Sequence, residues 1–398
     1  MKKSLFRNNF YFKMYLRSFY TTISPWSQRF LKDNSARSGV KPLVFVYFLK
    51  FYWKFLNFAL KLWSPVSTRH IFIKYEKLKV DDGKRTRKFH SRTNALEVVR
   101  GIDLSGKTYA ITGTTSGVGT ETARAFILKG AHIVMINRNY AASETLKQSL
   151  LCETPDARID IVQCDLSSLA SVKKTAEEYL TKKWPLHGLI LNAGVLGRKE
   201  KTTADRFEAH FGINHLAHFL LIKELLPVLR SSAPSRIVIL SSTLSKFTSI
   251  NPDSKIEEKL GTLCPKNATE WYYRLYAKSK MCNMLIAFKL HRDEFENGIS
   301  VYSVHPGSAV RTNLHRDVPF WSIFNFLSIP FTKNASQGAA TSLYCAVHPE
   351  VQELSGRYWE SCWDDELNLD EKVARDEELQ EALWEYSEEL VGKCLNSC

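Results

Sequence analysis

The chain has 398 residues, 44% of them apolar, 24% charged and 12% aromatic, which excludes a wholly disordered or collagen-like protein and suits one large α/β domain with extensions. The net charge of +14 is unevenly spread: up to Lys74 fourteen Lys and Arg stand against one acid, Asp33, leaving 41 basic and 40 acidic residues from Tyr75 onward. The basic excess belongs to a leader, so the main body lacks the charge that nucleic-acid binding requires. The eight cysteines form no CxxC and have no histidine at zinc spacing, a pattern that predicts free thiols in a reducing compartment and no metal.

Residues 1–74 form the basic leader. Its first 24 residues are free of acid, rich in aromatic and hydroxyl side chains, and carry Lys2, Lys3, Arg7, Lys13 and Arg17. They read as a disordered basic arm, with a mitochondrial presequence as the alternative. From Leu43 to Trp63, seventeen of 21 residues are apolar, and the exceptions are Lys50, Lys54, Asn57 and Lys61. At about 100° per residue those four fall on one narrow stripe of a helix. A spanning helix would place Lys50 and Lys54 near mid-membrane, at roughly 2.5–3.5 kcal/mol each. A helix lying in the headgroup layer avoids that cost, so contact with a membrane surface is the favoured reading of residues 43–63. A true span and packing on protein are the alternatives. The expected location is intracellular and membrane-associated, at the endoplasmic reticulum or mitochondrion, with a cytoplasmic protein as the alternative. Residues 75–103 read as a polar linker.

From Leu104 short apolar runs alternate with amphipathic helices, which predicts a parallel sheet covered on both faces, in a domain running from 104 to 398. Tyr109–Thr112 is the first strand. It leads through Gly113-Thr-Thr115-Ser116-Gly117-Val118-Gly119 into a helix over Thr120–Lys129. Glycines between a strand and a helix let a pyrophosphate approach unpaired N–H groups at the helix N-terminus. The next strand, His132–Ile136, ends in Asn137-Arg138-Asn139. An NAD-selective site usually places a carboxylate there; a guanidinium instead suits the 2′-phosphate of NADP(H). NADP(H) is therefore the expected cofactor, with NAD(H) as the alternative.

Three further strands, Ile159–Gln163, His187–Leu191 and Arg236–Leu240, run into Asp165-Leu166, Asn192-Ala193-Gly194 and Ser241-Ser242. Ligands gather at such strand ends in an open α/β sheet. A long helix over Glu270–Arg292 carries Tyr276 and Lys280 at i and i+4, on one face. An ammonium beside a phenol is expected to lower its pKa and make an acid/base that works near neutrality. Tyr272 and Tyr273 have no lysine four residues on.

Taken together, Gly113-x-x-x-Gly117-x-Gly119, Asp165, Asn192-Ala-Gly194, Ser242, Tyr276-x-x-x-Lys280 and His305-Pro306-Gly307 resemble the short-chain dehydrogenase/reductase family over roughly Leu104 to Tyr358. The resemblance implies a Rossmann-type, doubly wound parallel sheet with helices on both faces. It implies a catalytic set in which Ser242 orients a substrate carbonyl, Tyr276 exchanges the proton, Lys280 lowers the tyrosine pKa and holds the nicotinamide ribose, and Asn214 supports a water-linked relay. It also implies cofactor contacts along the glycine loop and at Asp165, Leu166, Asn192, Ala193, Gly194, Pro306 and Gly307, with Arg138 and Asn139 at the adenosine end.

Ser242 lies 34 residues before Tyr276, so the insertion Thr243–Thr269 is expected over the substrate mouth, as in the retinol-dehydrogenase-like branch. Within that branch Arg230-Ser-Ser-Ala-Pro-Ser-Arg, Ser245-Lys-Phe-Thr-Ser-Ile-Asn251 and Gln337-Gly-Ala-Ala-Thr are similar to the oxidoreductase domain of WW domain-containing oxidoreductases. No recognisable WW module surrounds Trp26, Trp53 or Trp63, so binding of proline-rich ligands is not implied. Asp370–Val391 reads as one terminal helix closing the substrate side, with a solvated acidic face; a partner-binding helix is the alternative. The leading functional expectation is an NADP(H)-dependent oxidoreductase acting on a carbonyl or alcohol of an apolar retinoid, steroid or other lipid-like molecule. The competing one is a nucleotide-binding scaffold acting through protein contacts, for which the set Asn214, Ser242, Tyr276 and Lys280 has no use. The oligomeric state is left open.

Overall fold

The computed structural model describes residues 87–396, apart from 199, 266–268, 308–309, 311–331 and 367–368. The leader, its expected helix over 43–63 and the first part of the linker lie outside the described residues. Eight strands form one sheet, in the order β3-β2-β1-β4-β5-β6-β7-β8. They are β1 Thr108–Thr112, β2 His132–Asn137, β3 Ile159–Gln163, β4 Gly188–Leu191, β5 Ser235–Leu240, β6 Ile299–His305, β7 Arg357–Glu360 and β8 Trp363–Asp364. All neighbours are parallel except β7 and β8. The order steps out from β1 to β3 and then restarts on its other side at β4, so the crevice between β1 and β4 is where ligands are expected in such sheets.

The central strands are largely apolar because both of their faces are covered. β1, β2, β4 and β6 are buried along their whole length. One face carries α1 Ala95–Val98, α2 Gly117–Ile127, α3 Tyr140–Glu153 and, later in the chain, α8 Ala335–Val347, around a core that includes Phe126, Ile133, Leu150 and Trp359. The other face carries α4 Leu169–Thr181, α5 Ala217–Ser231, α6 Ile256–Leu263 and α7 Tyr272–Glu294, around Val172, Leu221, Leu285 and Tyr358. Ala95, Val98 and Val99 are at most 1% exposed. The last residues of the segment read as a linker are thus part of the packed domain. Their three apolar side chains are too few to stand out in a polar stretch.

The terminal segment departs from the expected single helix. It forms a short turn, α9 Glu371–Ala374, and then α10 Glu377–Asn396. Val373, Leu379, Leu383 and Val391 are buried on the α7 face. The acids here are not simply solvated: Asp376 pairs with Lys259 at 2.8 Å, Glu381 with Lys289 at 2.9 Å, and Glu388 with Lys223. Local sequence does not reveal these pairs, because the lysine partners are over a hundred residues away on α5 and α6, and over ninety away on α7.

Candidate active site

β1 delivers the chain into a loop whose geometry depends on glycine. Gly113 and Gly117 have φ of +72° and +61°, in the region that L side chains rarely adopt. A Cβ at Gly119 would stand 2.2 Å from the Gly113 carbonyl oxygen and 2.6 Å from Asn192 Nδ2. Ser116 precedes α2 in an extended conformation, with no side-chain capping bond, and Thr115 and Ser116 are exposed. The first N–H groups of α2 therefore end in a cradle closed against side chains and open to an anion, which fits the pyrophosphate of a dinucleotide.

The loops are laced together. Asn192 Nδ2 donates to the Thr112 and Gly113 carbonyl oxygens at 2.9 and 3.0 Å, and Ala193 N–H donates to Thr112 Oγ1 at 3.0 Å. At the end of β2, Asn137 faces inward, accepting Thr114 N–H at 2.7 Å and donating to Thr114 Oγ1 and Ser143 Oγ. That leaves exposed Arg138 as the side chain presented there. It borders a surface cleft shared with Gln163, Asp165, Ser171 and Lys174. Asn139 caps α3, its Oδ1 accepting Ala142 N–H at 3.0 Å. Asp165 Oδ1 takes both the N–H and hydroxyl of Ser167, and Leu166 packs on the core beside it. At the end of β6, Pro306 leads into Gly307 at φ +103°, against the Lys333 side chain.

The expected catalytic residues meet at the C-terminal ends of β4 and β5. Ser242 caps the short 3-10 turn Thr243–Phe247 and stands beside the Tyr276 phenol, where it favours the ionised form. Lys280, one turn along α7, donates to the Leu240 carbonyl oxygen at 2.9 Å and holds Nζ 5.6 Å from the Tyr276 ring centroid. Asn214 lies in a π-helical turn, Phe211–Leu216, at the start of α5. Its Oδ1 accepts Val195 N–H at 2.8 Å, while Nδ2 donates to the Val195 carbonyl at 3.1 Å and to Ser279 Oγ at 3.0 Å. A Cβ on Gly194 would stand 3.5 Å from both Asn214 Oδ1 and Lys280 Nζ. Glycine lets these two groups converge over the same backbone atom.

The electrostatics differ from the expectation of a tyrosine pKa lowered by its lysine. Burial pushes the Tyr276 phenol well above its usual range, and the neighbouring Ser242 opposes this only in part. Burial also brings Lys280 down to about 7. Both groups are dehydrated, so each favours its neutral form, and this outweighs the attraction expected from their spacing. The buried imidazoles follow the same rule, with His218 and His305 both pushed down to about 3. His218 bridges Thr112 Oγ1 and the Asn214 carbonyl at 3.1 and 3.2 Å.

Glu208 and His210 were not legible as site residues. They lie just ahead of the π-helical turn, with the His210 ring edge-on to Tyr276 at 6.4 Å between centroids. An isolated Glu-x-His is too short a pattern to stand out.

The family model described as short chain dehydrogenase matches residues 107–252. The WW domain-containing oxidoreductase of Danio rerio is 39% identical over 307 residues, 77% of this chain and 74% of that one. Retinol dehydrogenase 14 of Mus musculus is 38% identical over 308 residues, 73% of this chain and 87% of that one. The crystal structure of an uncharacterized protein from Mycobacterium paratuberculosis shares the fold, with a TM-score of 0.54 at 25% identity, over 73% of this chain and 95% of that chain. The parallel sheet, the glycine cradle and relatives at this identity over most of their length leave one assignment: this chain belongs to the short-chain dehydrogenase/reductase family.

Proposed function

We propose that the protein is an NADP(H)-dependent oxidoreductase acting on a carbonyl or alcohol of an apolar, lipid-like substrate. The observation that carries this reading is the convergence of Ser242, Tyr276, Lys280 and Asn214 beside Gly194, next to a glycine loop shaped for pyrophosphate. When bound, the nicotinamide would supply or accept hydride. The α2 cradle would hold the pyrophosphate, and the cleft at Arg138 and Asp165 the adenosine end. The inward-facing Asn137 and outward-facing Arg138 favour a 2′-phosphate over a bare ribose hydroxyl.

Ser242 would hydrogen-bond the substrate oxygen and so aim the carbonyl carbon. With its pKa pushed up, Tyr276 carries its proton at neutral pH, the state needed to donate to the oxygen of a carbonyl being reduced. Lys280, its pKa brought down by burial, would return that proton to the phenol, and Asn214, which holds the loop at Val195, would support a water-linked relay. The likeness to retinol dehydrogenase 14 supports a retinoid or similarly apolar substrate. Turnover of NADPH with retinals, steroid ketones and aliphatic aldehydes tests the proposal. Activity with none of them, in protein that binds NADPH, would remove it.

The leader carries a second part of the reading: residues 43–63 contact an intracellular membrane, of the endoplasmic reticulum or mitochondrion, as a surface helix ahead of a linker and the dehydrogenase domain. The support is the lysine stripe of the sequence. Among the described residues no helix is long and apolar enough to cross a membrane.

A further inference from the structure

After Gly194 the chain passes the catalytic centre as a loop tied down at two points by the segment that opens α5. Asn214 holds Val195 through both its N–H and its carbonyl. His210 holds Gly197, whose N–H donates to His210 Nε2 at 3.2 Å. Gly197 has φ of +67°, a conformation in which few residues other than glycine are comfortable.

His210 is itself fixed. Its Nδ1 lies 2.7 Å from Glu208 Oε1, and the same carboxylate accepts the His210 and Phe211 N–H groups at 3.0 and 2.9 Å. Glu208 is 2% exposed and His210 4%. A carboxylate only accepts, so Nδ1 carries the proton and Nε2 presents its lone pair, as the Gly197 N–H requires. The imidazole then meets the Tyr276 ring edge-on, at 6.4 Å between centroids and an interplanar angle of 84°.

A carboxylate that merely capped the helical turn would need no imidazole beside it. A histidine that merely filled space would not need its tautomer fixed. The bond to Gly197 and the contact with Tyr276 are what remain to be explained. We propose that His210, oriented by Glu208, is a positioning residue for the reaction: one ring sets both the loop 195–197 and the Tyr276 side chain in register. This rests on the oxidoreductase reading above.

Three full-length variants separate positioning from simple packing. His210→Phe keeps a ring against Tyr276 and removes both hydrogen bonds. His210→Gln can keep a donor toward Glu208 and an acceptor toward Gly197. Glu208→Gln frees the imidazole to take the other tautomer, with Nε2–H facing Gly197 N–H. For His210→Phe the expected result is a roughly ten- to hundredfold lower kcat, with the NADPH Kd, followed by fluorescence, changed by less than about twofold. His210→Gln should recover most of kcat, and Glu208→Gln should fall between. Amide hydrogen exchange over residues 192–198 should quicken in His210→Phe and return toward the unmutated rate in His210→Gln. Unchanged exchange in His210→Phe overturns the proposal whether or not the enzyme turns over. So does quickened exchange with kcat intact, or a folded His210→Gln that rescues nothing. If His210→Phe fails to fold, Glu208→Gln carries the same comparison. Unmutated protein that binds NADPH but reduces no carbonyl would overturn the oxidoreductase reading instead, and the exchange measurement would still decide the loop contact.

Discussion

Lys280 Nζ sits 5.6 Å from the centroid of the Tyr276 ring and donates to the Leu240 carbonyl oxygen at 2.9 Å. The two side chains are one turn apart on α7, yet burial drives them in opposite directions, the phenol up and the ammonium down to about 7. Burial thus favours the neutral form of both groups. A surface Tyr-x-x-x-Lys pair, left hydrated, would stay near ordinary pKa values.

Tyr276→Phe should abolish turnover and leave NADPH binding nearly intact. The ring and its packing remain while the exchangeable proton is gone, and a general acid of this kind contributes about 10²–10⁴-fold to the rate. Steady-state kinetics beside NADPH fluorescence titration reads both quantities. A variant that keeps turnover within an order of magnitude of the unmutated enzyme would remove Tyr276 from the mechanism.

Lys280 gives a pH dependence of stability with a definite sign. Its folded-state pKa is about 7, against about 10.4 in the unfolded chain. Between those values the unfolded chain binds more protons, so this group's penalty on folding is full below pH 7 and is relieved as pH rises toward 10. Lys280→Met removes the titration and keeps an apolar stem. Its Tm relative to the unmutated protein should be highest near pH 6 and should fall by roughly a few degrees by pH 9. A Tm difference that does not change with pH would mean that Lys280 is not held in a desolvated site.

The leader is tested on the whole chain. Intact protein should sediment with anionic liposomes and be released in part by high salt, since lysines near anionic headgroups contribute about 1 kcal/mol each. Replacing Lys50, Lys54 and Lys61 by Glu should release it. Binding that resists salt and the substitutions would point to a spanning helix, and no binding at all would leave packing on protein.

The strands and the glycine loop were legible because strands buried on both faces read as short, largely apolar runs, and because a turn closed by Gly113, Gly117 and Gly119 tolerates little else. Tyr276 and Lys280 were legible because helical spacing is regular. What escaped the sequence is what regular spacing does not encode. The π-helical turn at Phe211–Leu216 inserts one extra residue per turn without disturbing the apolar pattern, and it is this turn that carries Asn214 to Val195. The short helix α6 in the insertion and the break before α10 escape for the same reason, each being set by long-range packing. The direction of the Tyr276 shift also escaped, because spacing reveals which charges are neighbours and says nothing of how much water they keep.

Arg138→Ala should weaken NADPH much more than NADH. Only the former offers a 2′-phosphate, and a charge-assisted contact is worth roughly 1.5–3 kcal/mol, or about ten- to hundredfold in Kd. Asn137 is turned inward by its bonds to Thr114 and Ser143, so it would not replace that contact. Equal losses for the two cofactors would show that Arg138 does not read the phosphate.

Gly119→Ala tests the cradle through packing. The added carbon would stand 2.2 Å from the Gly113 carbonyl oxygen and 2.6 Å from Asn192 Nδ2. The first is backbone and cannot swing away, and the second holds the Thr112 and Gly113 carbonyls. Relief must come from moving the loop off α2, at a cost of roughly 1–3 kcal/mol in stability. The same movement withdraws the N–H groups at the helix start from where a pyrophosphate would sit. Both dinucleotides should therefore lose affinity together, in contrast to Arg138→Ala, and Tm should drop by several degrees. Gly392, in the last turns of α10, is the control: a Cβ there meets nothing within 4 Å, so Gly392→Ala should leave affinity unchanged and raise stability by up to about 1 kcal/mol. A Gly119→Ala protein that binds NADPH and melts like the unmutated chain would show that the loop does not close on α2 as described.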